Sequence, residues 1–402
     1  MLRVLHIMQY EKYVSNEIRL WNTLDVENRY VSIWEPTNST YCELMDRIEH
    51  IQENELFRII QEGKTYDVVV FVSLPTSMYE FIVQIPENKI VIWLSVGCDV
   101  YYDDYPYRAV VPIKIYKPLT KRLVLTEERN LRPKKTLWQR MIYELAQIIH
   151  FQRTYKRRKA AKDDERLHLN LQAEALGRID YISTVLDIEY ELIRQNNAIR
   201  AKFFRYKFVG DGQPFDYAYW KIRDFDKTKY ILLGNSSDAS NNHFDILHIL
   251  KQRHISTPIY APLAYAGKGN YPKYIAKVIE ENKSNVVQKE FMLKKEYDKI
   301  LQTMRVGVFG HMRQQSLGNI TALLLLGKKV FLYKDSIAYR HFQKAGAYVY
   351  TIENDLTQEN VDTPLSTEQV QHNRMLFAND YANITAGVRE DLKEMEKIVM
   401  QK

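Results

Sequence analysis

Tyr230-Ile-Leu-Leu-Gly-Asn-Ser-Ser-Asp-Ala-Ser-Asn-Asn-His243 runs from a short apolar segment through a glycine into small hydroxyl and amide residues. The apolar part reads as a buried strand ending at Gly234, and a helix is expected to begin near Asn241 or Asn242. A strand that turns directly into a helix is the repeating unit of parallel α/β sheets. Small side chains at such a turn let an anion approach the backbone, where the free N–H groups and dipole of the helix start favour negative charge. Asn235, Ser236, Ser237 and Ser240 add donors of their own. Ser, Asp (here Asp238) and Asn are also ordinary helix caps, so the stretch reads either as an anion site or as a capped turn. It is neither a P-loop, lacking Gly-Lys-Ser/Thr, nor a dinucleotide fingerprint.

Outward from this stretch the same unit recurs. The second half offers strands at Tyr230–Gly234, Pro258–Tyr265, Val286–Phe291, Val306–Gly310, Lys329–Tyr333 and Ala347–Thr351. Helices are expected between them at about 242–253, 271–282, 295–304, 317–326 and 336–345. In the first half Leu2–Met8, Asp67–Ser73, Lys89–Val96, Asp180–Thr184 and Phe203–Phe208 read as strands, with a helix over Cys42 to Glu62. Gly210-Asp-Gly-Gln-Pro214 concentrates turn residues. The expected organisation is therefore an α/β protein of two Rossmann-like domains facing each other across a cleft. They would span 1–215 and 216–375, with a C-terminal helix, 376–402, packing back on the first domain. In open parallel sheets ligands bind beyond the carboxyl ends of the strands.

Two further loops leave strands of the same predicted sheet. Val306-Gly-Val-Phe-Gly-His-Met-Arg-Gln-Gln-Ser-Leu-Gly-Asn-Ile320 places Arg313 just before an apolar helix, where a guanidinium and amides suit a phosphate or a sugar. Ala264-Tyr-Ala-Gly-Lys-Gly-Asn-Tyr271 sets Lys268 between glycines, either a clamp on a charged ligand or a loop that happens to carry a lysine. In the first half, Ile92-Trp-Leu-Ser-Val-Gly-Cys-Asp-Val-Tyr-Tyr102 ends a strand near Asp99. That residue is a candidate general base, or else a turn residue. Glu11 and Glu17 are rival acids, expected to be solvated. His6 is expected inside.

Hydrophobic residues at 46% and charged residues at 27% exclude a disordered or collagen-like chain. Cys42 and Cys98 are too few for a disulfide framework or a zinc knuckle. No apolar run is long enough to span a bilayer, and MLRVLHIMQY reads as a first buried strand, not a signal peptide, so the expected compartment is the cytoplasm.

The charge is uneven. Between Lys114 and Lys162 fifteen Lys and Arg face three acids, while the other 353 residues carry a net −5. Leu137, Met141, Leu145, Ile148 and Ile149 share a helix face beside Trp138, and Arg153, Lys156, Arg157, Arg158 and Lys159 follow. An apolar, aromatic face flanked by cations suits an anionic membrane surface; its alternative is a core-facing helix followed by a solvated run. No nucleic-acid motif is present, and a nucleic-acid partner is not expected.

At these residues the chain resembles a known family. Gly234-Asn-Ser-Ser-Asp-Ala-Ser-Asn-Asn-His243, Pro262-Leu-Ala-Tyr265 with Gly269-Asn-Tyr271, and Arg313-Gln-Gln-Ser-Leu-Gly318 resemble the signatures of glycosyltransferase family 56. These are the TDP-N-acetylfucosamine:lipid II N-acetylfucosaminyltransferases, also called 4-alpha-L-fucosyltransferase-like. Trp93 to Tyr102 is similar to a further stretch. The good match covers about 228–355. Ser316 stands where the family loop has glycine, and Lys268 and the basic stretch are not part of the pattern.

The resemblance implies a GT-B type glycosyltransferase, independent of metal and needing no cofactor. Its nucleotide-sugar donor, a dTDP-sugar or a UDP-sugar, would sit on the C-terminal domain. Its acceptor would be an undecaprenyl-diphosphate-linked saccharide at the inner face of the membrane. In this reading Gly234, Asn235, Ser236, Ser237, Asp238 and Asn241 line the donor, with Lys268 as a clamp. Arg313, Gln314, Gln315, Ser316 and Gly318 touch phosphate and sugar, and Tyr260 or Tyr265 contacts the base. Asp99 and Arg313 carry the chemistry. The alternative is a non-catalytic membrane- or nucleic-acid-binding module.

Overall fold

The structure is a computed structural model. It describes all residues except 12–13, 37–43, 103–105, 132–150, 207–220, 223, 268, 379–384 and 402, and of Cys98, 127–131 and 151–159 the backbone alone. The described residues fall into two compact units. The first comprises those of Met1–Pro112, Ile142–Pro214 and Tyr381–Lys402, the second those of Ile113–Met141 and Phe215–Asp380.

The first unit holds a seven-stranded sheet in the order β3-β2-β1-β4-β5-β6-β7. Its strands are β1 (Leu2–Met8), β2 (Val26–Ser32), β3 (Glu49–His50), β4 (Val68–Val72), β5 (Ile90–Ser95), β6 (Tyr181–Thr184) and β7 (Lys202–Phe203). Every pairing is parallel. The central β4 is apolar throughout and β5 up to its last residue, Ser95, and both are buried along their length, as a parallel sheet covered on both faces requires.

Sequence pattern missed β2, because Glu27, Asn28 and Arg29 are polar and burial starts only at Tyr30. The expected helix over 42–62 shortens to Glu53–Glu62, preceded by β3. The C-terminal helix Ala386–Gln401 contributes Val388, Leu392 and Met395 to the core around Trp21, Phe204 and Tyr206. Asp391 on that helix accepts from the Arg205 amide (2.8 Å) and guanidinium (2.9 and 2.5 Å).

Glu17 is not solvated as expected. It lies 2% exposed in this core and accepts a hydrogen bond from the Tyr206 hydroxyl. Burial pushes its carboxyl up to about 8, against the pull of that hydroxyl. The folded state therefore holds a proton that the unfolded chain releases above about 4.5, and stability declines as pH rises from there toward 8. Glu17→Gln is expected to stabilise the first unit by about 3 kcal/mol at pH 7, at 1.36 kcal/mol per unit. The gain should vanish near pH 4.5. Urea unfolding at pH 5, 6, 7 and 8 checks it, and a gain independent of pH would refute the assignment.

The second unit holds a six-stranded sheet in the order β10-β9-β8-β11-β12-β13. Its strands are β8 (Tyr230–Leu233), β9 (Ile259–Pro262), β10 (Val286–Gln288), β11 (Met304–Phe309), β12 (Lys329–Leu332) and β13 (Tyr350–Thr351), again parallel throughout. The order runs outward in opposite directions from the β8–β11 pair, which makes the carboxyl ends of these two strands the topological switch point.

One part of the division departs from linear order. The strap Ile113–Thr120 and the helix Pro118–Leu131, which the split at 215 places in the first domain, belong to the second unit. Leu123 and Val124 of that helix pack against its core. Among the described residues no helix is long and apolar enough to cross a membrane.

Candidate functional site

The loop after β8 is built on Gly234, the side-chain amide of Asn241 and the carboxylate of Asp238. Gly234 has φ +67°, and a Cβ there would stand 2.7 Å from Asn241 Oδ1. That oxygen accepts the Asn235 amide (3.1 Å), while Asn241 Nδ2 faces Ser236 O, Ser236 Oγ and Asp238 O at 3.2, 3.1 and 3.0 Å. Asp238 caps the short turn Ala239–Asn241 by accepting the Ser240 amide (2.9 Å). Ser236 and Ser237 are buried in this frame. The helix His243–Gln252 follows directly.

The loop after β11 is bonded to the first. Ser240 Oγ donates to Gln315 Oε1 (2.7 Å), and Gln315 Nε2 donates to Asn235 Oδ1 (2.9 Å). Asn242 Nδ2 donates to Gly310 O at 2.7 Å. Arg313, half-buried, donates from Nη1 to Gln314 O (2.9 Å) ahead of the apolar helix Leu317–Leu325. Ser316 has φ +61°, in the left-handed region where glycine is unstrained. Gly318 is exposed in the helix, and a Cβ there would meet nothing within 4 Å.

The third loop joins as well. Tyr265 O accepts both the amide (3.0 Å) and the hydroxyl (2.8 Å) of Ser237, and Tyr265 OH accepts from Asn235 Nδ2 (3.0 Å). Gly267 approaches so closely that a Cβ would lie 2.4 Å from Ser237 Oγ. Lys268 lies outside the described residues. Tyr265 is 40% exposed beside Asn235, whereas Tyr260 is buried and donates to Gln288 Oε1 (2.6 Å) on the edge strand β10. Three separate motifs thus converge at the switch point, and Asn235, Asp238, Arg313, Gln314 and Tyr265 keep exposed surface there.

Two residues escaped the sequence reading. Asn242 is one. The other is His311, fully buried beside Phe309, with neither ring nitrogen bonded to a protein atom. Burial, aided by the charge of Arg313, pulls it down to about 3, so the imidazole is neutral. Pattern could not show this, because a His in a polar loop reads as exposed.

Asp99 differs from the expected base. Its Oδ2 accepts the Leu74 amide (2.9 Å) and Trp93 Nε1 (2.7 Å). Its Oδ1 accepts Ser95 Oγ (3.2 Å) and the Val96 and Gly97 amides (3.2 and 3.0 Å). A carboxylate offers about four lone-pair sites. Five donors fill them and leave none for an acceptor hydroxyl, so the side chain clamps the loop after β5. Burial nonetheless raises its carboxyl above the usual range. Asp99→Asn turns an amide N–H₂ toward those donors and should lower the stability of the first unit by about 2–3 kcal/mol. An unchanged denaturation midpoint with lost turnover would restore the role of base.

Of the expected membrane residues, Trp138 lies outside the described residues. Arg153, Lys156, Arg157, Arg158 and Lys159 fall on the helix Phe151–Gly177, described there by backbone alone. Among the described residues no group of three or more His, Cys, Asp or Glu is arranged to hold a metal ion.

The two parallel α/β sheets are those of a GT-B fold, and the family match makes the chain a glycosyltransferase. The family model for 4-alpha-L-fucosyltransferase, glycosyl transferase group 56, matches residues 130–393, and the chain belongs to that family. No curated protein matches it. Among solved structures it is similar in fold to a glycosyltransferase from Rickettsia africae, at 11% identity over 100% of this chain and 99% of that one, TM-score 0.55. It is also similar to S. aureus MnaA solved with UDP (12%, 100% and 99%, TM-score 0.52). A third is Anabaena HepE with UDP and glucose (10%, 100% and 98%, TM-score 0.50).

Proposed function

We propose that the protein transfers an acetamido-deoxyhexose, N-acetylfucosamine-like, from a dTDP-sugar to an undecaprenyl-diphosphate-linked saccharide in bacterial surface polysaccharide synthesis. The observation that carries this reading is the bonding of the β8 and β11 loops through Asn235, Ser240 and Gln315 at the switch point, with Arg313 beside them. In this reading the nucleotide-sugar diphosphate lies against Gly234–Asp238 and Arg313. The guanidinium offsets the charge that develops on the nucleoside diphosphate as the glycosidic bond breaks, a preorganised donor at the point of charge growth. Gln314 and the second Nδ2 proton of the Asn235 side chain hold the sugar and phosphate oxygens, and Tyr265 flanks the base.

The UDP bound in MnaA and HepE makes a UDP-sugar the second donor to test. The basic stretch 114–162 would hold the enzyme peripherally on the anionic inner face of the membrane. A transfer assay with dTDP- and UDP-linked acetamido-deoxyhexoses and an undecaprenyl-diphosphate disaccharide tests the proposal, with and without EDTA. Lipid-linked product from the dTDP-sugar, undiminished by EDTA, is expected. Turnover with neither donor would overturn it.

A further inference from the structure

Three segments of the second unit meet at one buried side chain, Asn242. The residue is left-handed, φ +53°, without being glycine. Its Nδ2 faces Gly310 O (2.7 Å), Ile115 O (3.0 Å) and Ser240 O (3.1 Å), and its Oδ1 accepts the Lys117 amide (2.8 Å). One amide therefore fixes the end of the β8 loop, the start of the Arg313 loop and the strap Ile113–Thr120. Asp245 completes the docking by accepting the Leu119 and Thr120 amides (3.0 and 2.9 Å), capping the helix that follows the strap.

The Lys117 ammonium sits 4.0 Å over the ring of Tyr333, the residue after β12. The strap thus touches the segments that follow β8 and β12, the strands on either side of β11. At the same place the two loops are in backbone contact, since a Cβ on Gly310 would stand 2.4 Å from Asn241 O.

We propose that Asn242 is a positioning residue of the donor site and that it couples the strap to nucleotide binding. A nucleotide that fixes the β8 and β11 loops holds Asn242 in the conformation that binds the strap. A docked strap holds the same side chain against Gly310 and so places the Arg313 loop. Coupling of this kind is reciprocal: each event strengthens the other by the same factor. The strap begins where the chain leaves the first unit at Pro112. The inference rests on the donor-site reading above.

The three strap amides that Asn242 and Asp245 accept from make the test direct, because hydrogen exchange reads those bonds. In the full-length protein, dTDP or UDP should slow exchange in the peptide spanning Lys117–Thr120 as well as in the 234–242 loop. Asn242→Gly keeps the left-handed backbone and removes the amide; it should abolish the slowing in the strap. Asp245→Asn touches the strap amides and neither anion loop. It should weaken nucleotide binding at least fivefold in calorimetry, with the circular dichroism spectrum unchanged, and it keeps the test decisive if Asn242→Gly fails to fold.

A wild-type protein that binds nucleotide with no change in strap exchange, together with Asp245→Asn binding as wild type, overturns the coupling alone. A wild-type protein that binds neither nucleotide overturns the donor reading and the coupling with it.

Discussion

Gly310→Ala is expected to abolish nucleotide binding while leaving the first unit folded. The added methyl would lie 2.4 Å from Asn241 O, 2.9 Å from Ile246 Cγ1 and 3.3 Å from Asn242 Cβ. A backbone oxygen cannot rotate aside, so the end of β11 or the β8 loop must move. Either shift breaks the Asn242–Gly310 bond and carries Arg313 out of register with Asn235. Overpacking of this kind costs about 1–3 kcal/mol in stability, and the second unit should bear it.

Gly177→Ala, at the end of the helix Phe151–Gly177 in the first unit, is the control. Its Cβ meets only Ala198 O at 3.4 Å, an ordinary contact, and it lies outside the donor site. The measurement is the rise in melting temperature produced by dTDP and UDP in both variants. Wild-type shifts in Gly310→Ala would show that the two loops do not act as one site.

The second large effect is on acid stability, and it separates the two units. In the second, burial pulls His243 and His311 down to about 3. Both pKa values lie below the unfolded value near 6.5, so the folded state binds fewer protons. Their contribution is complete above pH 6.5 and is lost as pH falls toward 3. Two protons at 1.36 kcal/mol per unit give a loss of about 3 kcal/mol for each pH unit below 6.

The first unit behaves differently. Burial lowers His6, which pairs with Asn28 Oδ1 at 2.8 Å, to about 3, but raises Glu17 to about 8. Between pH 4.5 and 6.5 these two act in opposite senses and cancel. Calorimetry at pH 7, 6 and 5 should therefore show the second unit's transition falling while the first unit's stays nearly level. His311→Gln should halve the slope of the second. Transitions that fall together would contradict the assignment.

The second unit was legible because its local and tertiary signals agree. Each of its strands is a short apolar run and each loop carries glycine or a cap, so β8 to β13 fall within a few residues of their predicted positions. The first unit hides β2 because Glu27–Arg29 are polar, and it hides Glu17 because a lone carboxylate between apolar helix positions reads as solvated. Convergence of the three site loops could be suspected from their shared sheet. The bonds Ser240–Gln315 and Asn235–Tyr265 could not, since they join residues 75 and 30 positions apart. The strap was illegible for the same reason: Asn242 and Asp245 reach back 125 to 127 positions to find Ile115, Lys117, Leu119 and Thr120. Asp99 carried the right residue type for a base, and only its five donors reveal a clamp.

The most direct test is titration calorimetry of dTDP and UDP against the wild-type protein and Arg313→Ala, each in EDTA. Binding of dTDP by the wild type, weakened about 10- to 100-fold in Arg313→Ala, is predicted; it corresponds to loss of a charge-assisted hydrogen bond of about 1.5–3 kcal/mol. Equal binding by both proteins, or by neither, would contradict a nucleotide-sugar site at the β8–β11 switch point.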